Sequence, residues 1–140
     1  METVAPAKAE TTIPARLRSA GLRPTRQRLA IAGLLFKDPD KHVSAESLHG
    51  DVLAAGEKMS LATIYNNLHQ FAAAGLLREV IVEAGKSLFD TRTDDHAHMR
   101  RMDTGEFIDC AMPDCSHPPP PEGTKVHRID ITIHLIPRPA

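Results

Sequence analysis

Cysteine is scarce in this chain of 140 residues, occurring only at Cys110 and Cys115. Apolar residues never run for anything near the roughly 20 positions that a membrane-spanning helix needs. The segment Met1–Thr12 is rich in Ala, Glu and Lys and has no apolar centre, so it reads as a frayed tail and not as a signal peptide. With no export signal, the cytoplasm is the expected compartment, and its reducing conditions argue against a structural disulfide. A strong excess of one charge is missing too. The formal net charge is −1 at pH 7, so attraction to a polyanion would have to come from a local patch. Hydrophobic residues at 41% and charged residues at 25% describe a globular chain and exclude a disordered one. The length allows one ordinary domain or two small ones.

One local patch is visible. Arg16, Arg18, Arg23, Arg26 and Arg28 follow one another with no acidic residue among them. Such a cluster is either a phosphate-binding surface or a solvated helix face. The cluster spans two helical segments and the link between them, one segment around Ile13–Ala20 that stops at Gly21 and one that opens at Pro24-Thr25 and runs to about Phe36. Asp38-Pro39-Asp40 then forces a turn. Ser44 is a good N-cap for a third helix carrying Ala45, Leu48 and Val52 at helical spacing, ending near Gly56. Ser60 caps a fourth, with Leu61, Ile64, Leu68, Phe71 and Ala72 inward and Gly75 just past its end. A short helix, a tight connection and a longer amphipathic helix make a helix-turn-helix. The β-branched run Leu76–Val82, a turn at Glu83–Lys86 and Ser87–Phe89 then form a hairpin in the place of a wing. Residues 13–90 are therefore expected to form a winged helix, with Ser60–Ala74 as its recognition helix and residues 1–12 as a tail.

After Asp90 the character changes. Short strands are expected at Met99–Met102 and Glu106–Asp109, followed by a loop with Pro113 and Pro118–Pro121. A last strand is expected over Val126–Ile136, where Ile129, Ile131, Ile133 and Leu135 alternate with Arg128, Asp130, Thr132 and His134. So small a region buries too little surface to stand alone, and pairing with a second copy would extend its sheet. The expected class is thus α+β, an N-terminal winged helix-turn-helix followed by a small α/β dimerisation domain over residues 91–140, in a homodimer.

The sharpest chemical signal is Asp90-x5-His96-x-His98, with Asp94 and Asp95 just ahead of the histidines. In an extended segment His96 and His98 share a face and can converge on one ion. Imidazole and carboxylate donors together suit Fe(II), Mn(II) or Zn(II). The alternative is a polar loop that happens to hold two histidines.

Three runs carry a family resemblance: His42-Val43-Ser44-Ala45-Glu46-Ser47-Leu48, Ala62-Thr63-Ile64-Tyr65-Asn66-Asn67-Leu68, and Gly85-Lys86-Ser87-Leu88-Phe89-Asp90. In order and spacing they resemble the ferric uptake regulator (Fur) family, over residues 14 to 109. The resemblance implies a dimeric, metal-dependent repressor that binds double-stranded operator DNA, with no enzymatic activity. It implies one divalent transition metal per subunit (Fe, Mn or Zn), held by His42, Asp90, His96, His98 and Asp109. It also places Arg16, Arg18, Arg26, Ser60, Thr63, Tyr65 and Asn66 at the DNA. Tyr65 either reads a thymine methyl group or packs against its own domain.

The chain departs from the family pattern in ways that matter. Where many members carry the first of two CxxC zinc-binding pairs, it has Arg101 and Thr104, and no second pair follows. A structural zinc held by four cysteines is therefore not expected. Cys110-x4-Cys115-x-His117 is a poor substitute at unusual spacing. The family's C-terminal helix is replaced by Pro118–Gly123 and the final strand. This ending resembles the iron response regulator (Irr) branch, which implies iron or haem homeostasis. That branch's Cys-Pro haem motif is lacking here, so haem would have to use His96 and His98. Asn66-Asn67 and Asp109 equally resemble the peroxide-sensing branch. A small metal-dependent enzyme is the more distant alternative, for which no separate nucleophile, general base or lid is present.

Overall fold

The computed structural model describes residues 12–38, 40–83 and 86–139. The expected tail lies almost wholly outside the described residues, as do Pro39 and the centre of the expected wing turn, Ala84-Gly85. The chain divides after Thr93 into two compact units.

The first unit runs α1 (Ile13–Ser19), α2 (Arg26–Leu35), β1 (His42–Val43), α3 (Ala45–Ala54), α4 (Leu61–Ala73), β2 (Arg78–Glu83) and β3 (Lys86–Asp90). Each helix begins where a hydroxyl side chain can satisfy an otherwise unpaired amide. Thr12, Thr25, Ser44 and Ser60 accept from the N–H groups of Ala15, Arg28, Ser47 and Thr63. At α3 the cap is reciprocal, since the Ser44 N–H also donates to Ser47 Oγ at 3.2 Å. Helix α4 stops at Gly75, whose φ of 82° suits a residue without a Cβ. There Leu76 N–H donates to Phe71 O at 2.9 Å and Gly75 N–H to Ala72 O at 3.1 Å, closing the end of the helix.

The apolar positions of the four helices meet in one core, where Leu17, Ile31, Leu35, Leu48, Val52, Ile64, Leu68 and Phe71 are fully buried with Phe89 from β3. This orders α4 against α3 and α2 and leaves its opposite face to solvent. The three strands form a sheet in the order β1-β3-β2, all antiparallel. Strand β1 is too short to show as a pattern in the sequence, which places His42 only ahead of α3. Pairing with β3 creates the strand, by setting His42 opposite Asp90 and Val43 opposite Phe89. The pairing continues past the strands, because Thr91 N–H donates to Lys41 O at 3.0 Å and Lys41 N–H to Thr91 Oγ1 at 2.9 Å. That exchange ties Thr91 to the first unit, which extends to Thr93, a little beyond the expected boundary at Asp90.

The second unit contains β4 (Ala97–Arg101), β5 (Phe107–Cys110) and β6 (Thr132–Leu135), in the order β5-β4-β6. Strands β4 and β5 form an antiparallel hairpin, whereas β6 returns parallel to β4. No helix occurs among the described residues of this unit, so the expected α/β layer is here a sheet only. The final strand is also shorter than its alternation suggests. Strand β4 offers partners for Thr132 to Leu135, and its last bond on that side runs from His98 N–H to Ile131 O at 3.1 Å. Residues 126–130 lie outside the strand and are largely exposed despite their pattern. Among the described residues no helix is long and apolar enough to cross a membrane.

Phe71 sits at the centre of the first core with no solvent exposure. Phe71→Ala is expected to cost that unit about 3–5 kcal/mol, through lost burial and a residual cavity. Chemical denaturation followed by circular dichroism checks the figure, and a loss below about 1 kcal/mol would contradict the packing described.

Candidate metal centre and nucleic-acid surface

Strand pairing assembles two sets of metal-type donors, one in each unit. In the first unit β1 and β3 bring His42 Nε2 to 3.1 Å from Asp90 Oδ2. Asp90 has no solvent exposure, and a bare carboxylate there would be costly. Its Oδ1 accepts the Arg92 N–H at 2.9 Å. Arg78, itself buried, is the residue opposite Asp90 on β2. The carboxylate thus has as partners the His42 ring on the neighbouring strand and the Arg92 backbone amide.

In the second unit the donors are His96, His98 and Asp109. His96 lies two residues before His98 in extended chain, and His98 is opposite Asp109 across β4–β5. The two Nε2 atoms are 3.0 Å apart. Asp109 Oδ1 lies 3.4 Å from the first and 3.2 Å from the second. Each ring is oriented from behind. His96 Nδ1 is 2.7 Å from the Asp94 carbonyl, an acceptor only, so this nitrogen carries the proton and Nε2 is the lone-pair atom of the neutral ring. His98 stacks on Phe107 with centroids 4.6 Å apart. Two nitrogens and a carboxylate oxygen this close repel unless a proton or cation lies among them. The N,N,O set matches a borderline divalent ion, which fits the donors present.

All five expected metal ligands therefore stand in donor clusters, His42 with Asp90 and His96 with His98 and Asp109. Cys110 and Cys115 are free thiols, and His117 Nδ1 lies 2.7 Å from the carbonyl of the neighbouring Pro118. Among the described residues these three form no donor cluster.

The residues expected at DNA fall into two groups. Ser60 and Thr63 build the α4 cap, with their hydroxyls 3.0 Å apart. Arg16 packs its guanidinium over the Phe36 ring at 3.9 Å, and burial there lowers its pKa. Arg18, Arg26 and Asn66 are exposed, Arg26 in a loose 3.5 Å ion pair with Glu57. Of the two roles considered for Tyr65, packing against its own domain is present in the fold. Its ring lies against the core, and its hydroxyl donates to Glu46 Oε1 at 2.9 Å. Sequence reasoning passed over Glu46, and also Gln70, whose Oε1 accepts from Arg28 Nη2 at 2.9 Å and ties α2 to α4. Neither carries a local signal in the sequence, since each partner comes from another helix. Thr25, Gln27, Arg28, Thr63, Asn66 and Gln70 line a polar groove between α2 and α4.

Four helices, the last two in a helix-turn-helix, and a two-stranded wing define the first unit as a winged helix, and a His/Asp cluster on a small sheet accompanies it. The chain belongs to the Ferric uptake regulator family, whose profile matches residues 19–134. The Ferric uptake regulation protein of Shigella flexneri is 40% identical over 94 residues, which are 66% of this chain and 64% of that protein. The matched segment thus spans a little less than two thirds of the relative's length. Among solved structures, the ferric uptake regulator of Pseudomonas aeruginosa with manganese superposes with a TM-score of 0.70 at 28% identity, covering 91% of this chain and 98% of that one. That of Vibrio cholerae gives 0.68 at 28% identity, over 88% and 98%.

A hydrogen bond from its own backbone amide, followed by the one from Tyr65, lowers the pKa of the Glu46 carboxyl. The same Tyr65–Glu46 bond raises the pKa of the phenol. Tyr65 is the chain's single tyrosine and tryptophan is absent, so its ionisation can be followed by ultraviolet absorbance without interference. Glu46→Ala is expected to move that titration to lower pH, because the phenolate then forms without a neighbouring carboxylate and the phenol loses its acceptor. An unchanged titration would show that the bond does not persist in solution.

Proposed function

We propose that the protein is a metal-dependent transcriptional repressor of the cytoplasm that binds promoter DNA as a homodimer and controls iron or haem homeostasis. The observation that carries this reading is the His96–His98–Asp109 cluster, two oriented imidazoles and a carboxylate within 3.4 Å. Family membership supports it, and so does the donor pair His42–Asp90. Neither set fills the four to six positions of a transition ion by itself. In the proposal one Fe(II), Mn(II) or Zn(II) ion takes all five as ligands. His96 follows Asp90 closely in the chain, within a span of at most about 20 Å, so donors on either side can serve one ion. Sharing it would restrict the two units to one relative orientation, which is how metal would govern DNA binding. Arg18, Arg26 and the exposed side of α4, with Tyr65 and Asn66, would meet the DNA. Phosphate contacts position the protein and base contacts supply the sequence preference.

The experiment is a DNA-binding titration with and without metal. Wild type should bind operator fragments more tightly with Mn(II) or Zn(II), and affinity should fall steeply with salt as counterions are released. Replacing both His96 and His98 by Ala should lower metal affinity by more than about 100-fold and abolish the metal effect on DNA. His117→Ala should change neither. Metal affinity should also fall as pH falls, since imidazole must be neutral to ligate. A double variant that retains wild-type metal content and a metal-responsive DNA affinity overturns the proposal.

The protein is further proposed to fold and dimerise without a structural zinc. At the positions of the missing first cysteine pair, Arg101 reaches Asp103 through two hydrogen bonds, at 3.1 and 2.7 Å. Thr104 Oγ1 accepts the Glu106 N–H at 3.2 Å. These contacts shape the β4–β5 turn. Exhaustive chelation should strip the regulatory ion and leave the sedimentation coefficient of the dimer unchanged. Dissociation or unfolding on chelation would reveal a structural metal.

A further inference from the structure

Inside the first unit a short line of rings joins the His42–Asp90 pair to helix α4. Phe89 directly precedes Asp90 on β3, is paired with Val43 and is fully buried. Its ring meets that of His69 on α4, with centroids 5.6 Å apart and planes tilted by 39°. His69 in turn meets Tyr65 edge-on, at 6.1 Å and 80°. Helical i, i+4 spacing brings those two together. The line ends at α3, where the Tyr65 hydroxyl donates to Glu46 at 2.9 Å. His69 is exposed, so it is not needed to fill the core. What its ring does is touch both Phe89 and Tyr65.

We propose that His69 is a positioning residue that couples cation binding at His42 and Asp90 to the pose of Tyr65 on the DNA-facing helix. The inference rests on the metalloregulator reading above and names a route by which that regulation reaches the bases. Loading the donor pair orders the backbone at Asp90 and hence at Phe89, its immediate neighbour. Phe89 is one wall of the space that the His69 ring occupies, and His69 limits the rotamers open to Tyr65. The restriction passes through two ring contacts only, Phe89 with His69 and His69 with Tyr65. The coupling is a free energy between two sites, so it is measured as a ratio of DNA affinities with and without metal.

Zn(II) is the probe, because it has no redox chemistry, and Tyr65 is its own reporter as the chain's single tyrosine in the absence of tryptophan. In wild type, Zn(II) should alter tyrosine emission and tighten DNA binding together. His69→Ala should keep its Zn(II) affinity within about threefold of wild type and its metal-free DNA affinity likewise, while the Zn(II)-dependent ratio of DNA affinities falls towards one and the emission response falls by more than about half. His69→Phe, which keeps both ring contacts, should restore both signals. The inference is overturned if His69→Ala responds to Zn(II) as wild type does, or if its Zn(II) affinity collapses, which would make His69 a support of the donor pair instead of a coupler. A wild-type protein that ignores Zn(II), in binding or in DNA affinity, overturns the metalloregulator reading itself and this inference with it.

Discussion

A fully buried carboxylate, Asp90, is the constraint on which the first unit turns. Burying such a charge is tolerable only where donors and cations surround it. Two pieces of chain supply partners to it, His42 on β1 and the Arg92 backbone just beyond β3, while the β2 register sets Arg78 opposite. The two-residue strand β1 exists in this context. Phe89, next in the chain, enters the helical core from the same strand, so the polar side of β3 and the hydrophobic core are positioned by one backbone. The end of the sheet and the packing of α4 are therefore not independent of each other.

The second unit solves a related problem by different means. Its three donors are brought together by the period of two along extended chain and by cross-strand register, and each imidazole is braced from behind, by the Asp94 carbonyl or the Phe107 ring. Supports of this kind set the tautomer and the ring angle, which decide whether a lone pair faces an ion. Beyond the sheet little apolar surface is covered. Met102, Ile108, Val126 and Ile136 remain substantially exposed. A second copy in the dimer proposed would have these side chains available to cover.

The surface proposed for DNA is less uniform than a count of arginines suggests. Arg28 bridges α2 to Gln70 on α4 and Arg16 lies on Phe36, so part of the basic cluster holds helices together. Arg18 and Arg26 remain exposed. Tyr65 is likewise divided, its ring in the packing and its hydroxyl on a glutamate. A helix locked in this way presents its polar groups with less freedom to lose on binding.

Local chemistry in the sequence determined a good deal by itself. Hydroxyl caps at Thr25, Ser44 and Ser60, the glycine after α4 and the 3.6-residue apolar period are interactions within one turn or one face, so the four helices and the wing were legible. The pair His96 and His98 was legible for the same reason, because a shared face follows from a period of two. Asp109 and His42 as expected ligands follow only from the family resemblance, since nothing local joins residues so far apart in the chain. Tertiary structure alone decided the rest. Strand β1 depends on a partner 48 residues away. The last strand is cut to Thr132–Leu135 by the length of β4, although alternation continues well before it. The contacts of Glu46, His69 and Gln70 likewise arise only when helices pack, because a ring or carboxylate on an exposed turn carries no sequence mark of what will lie beside it.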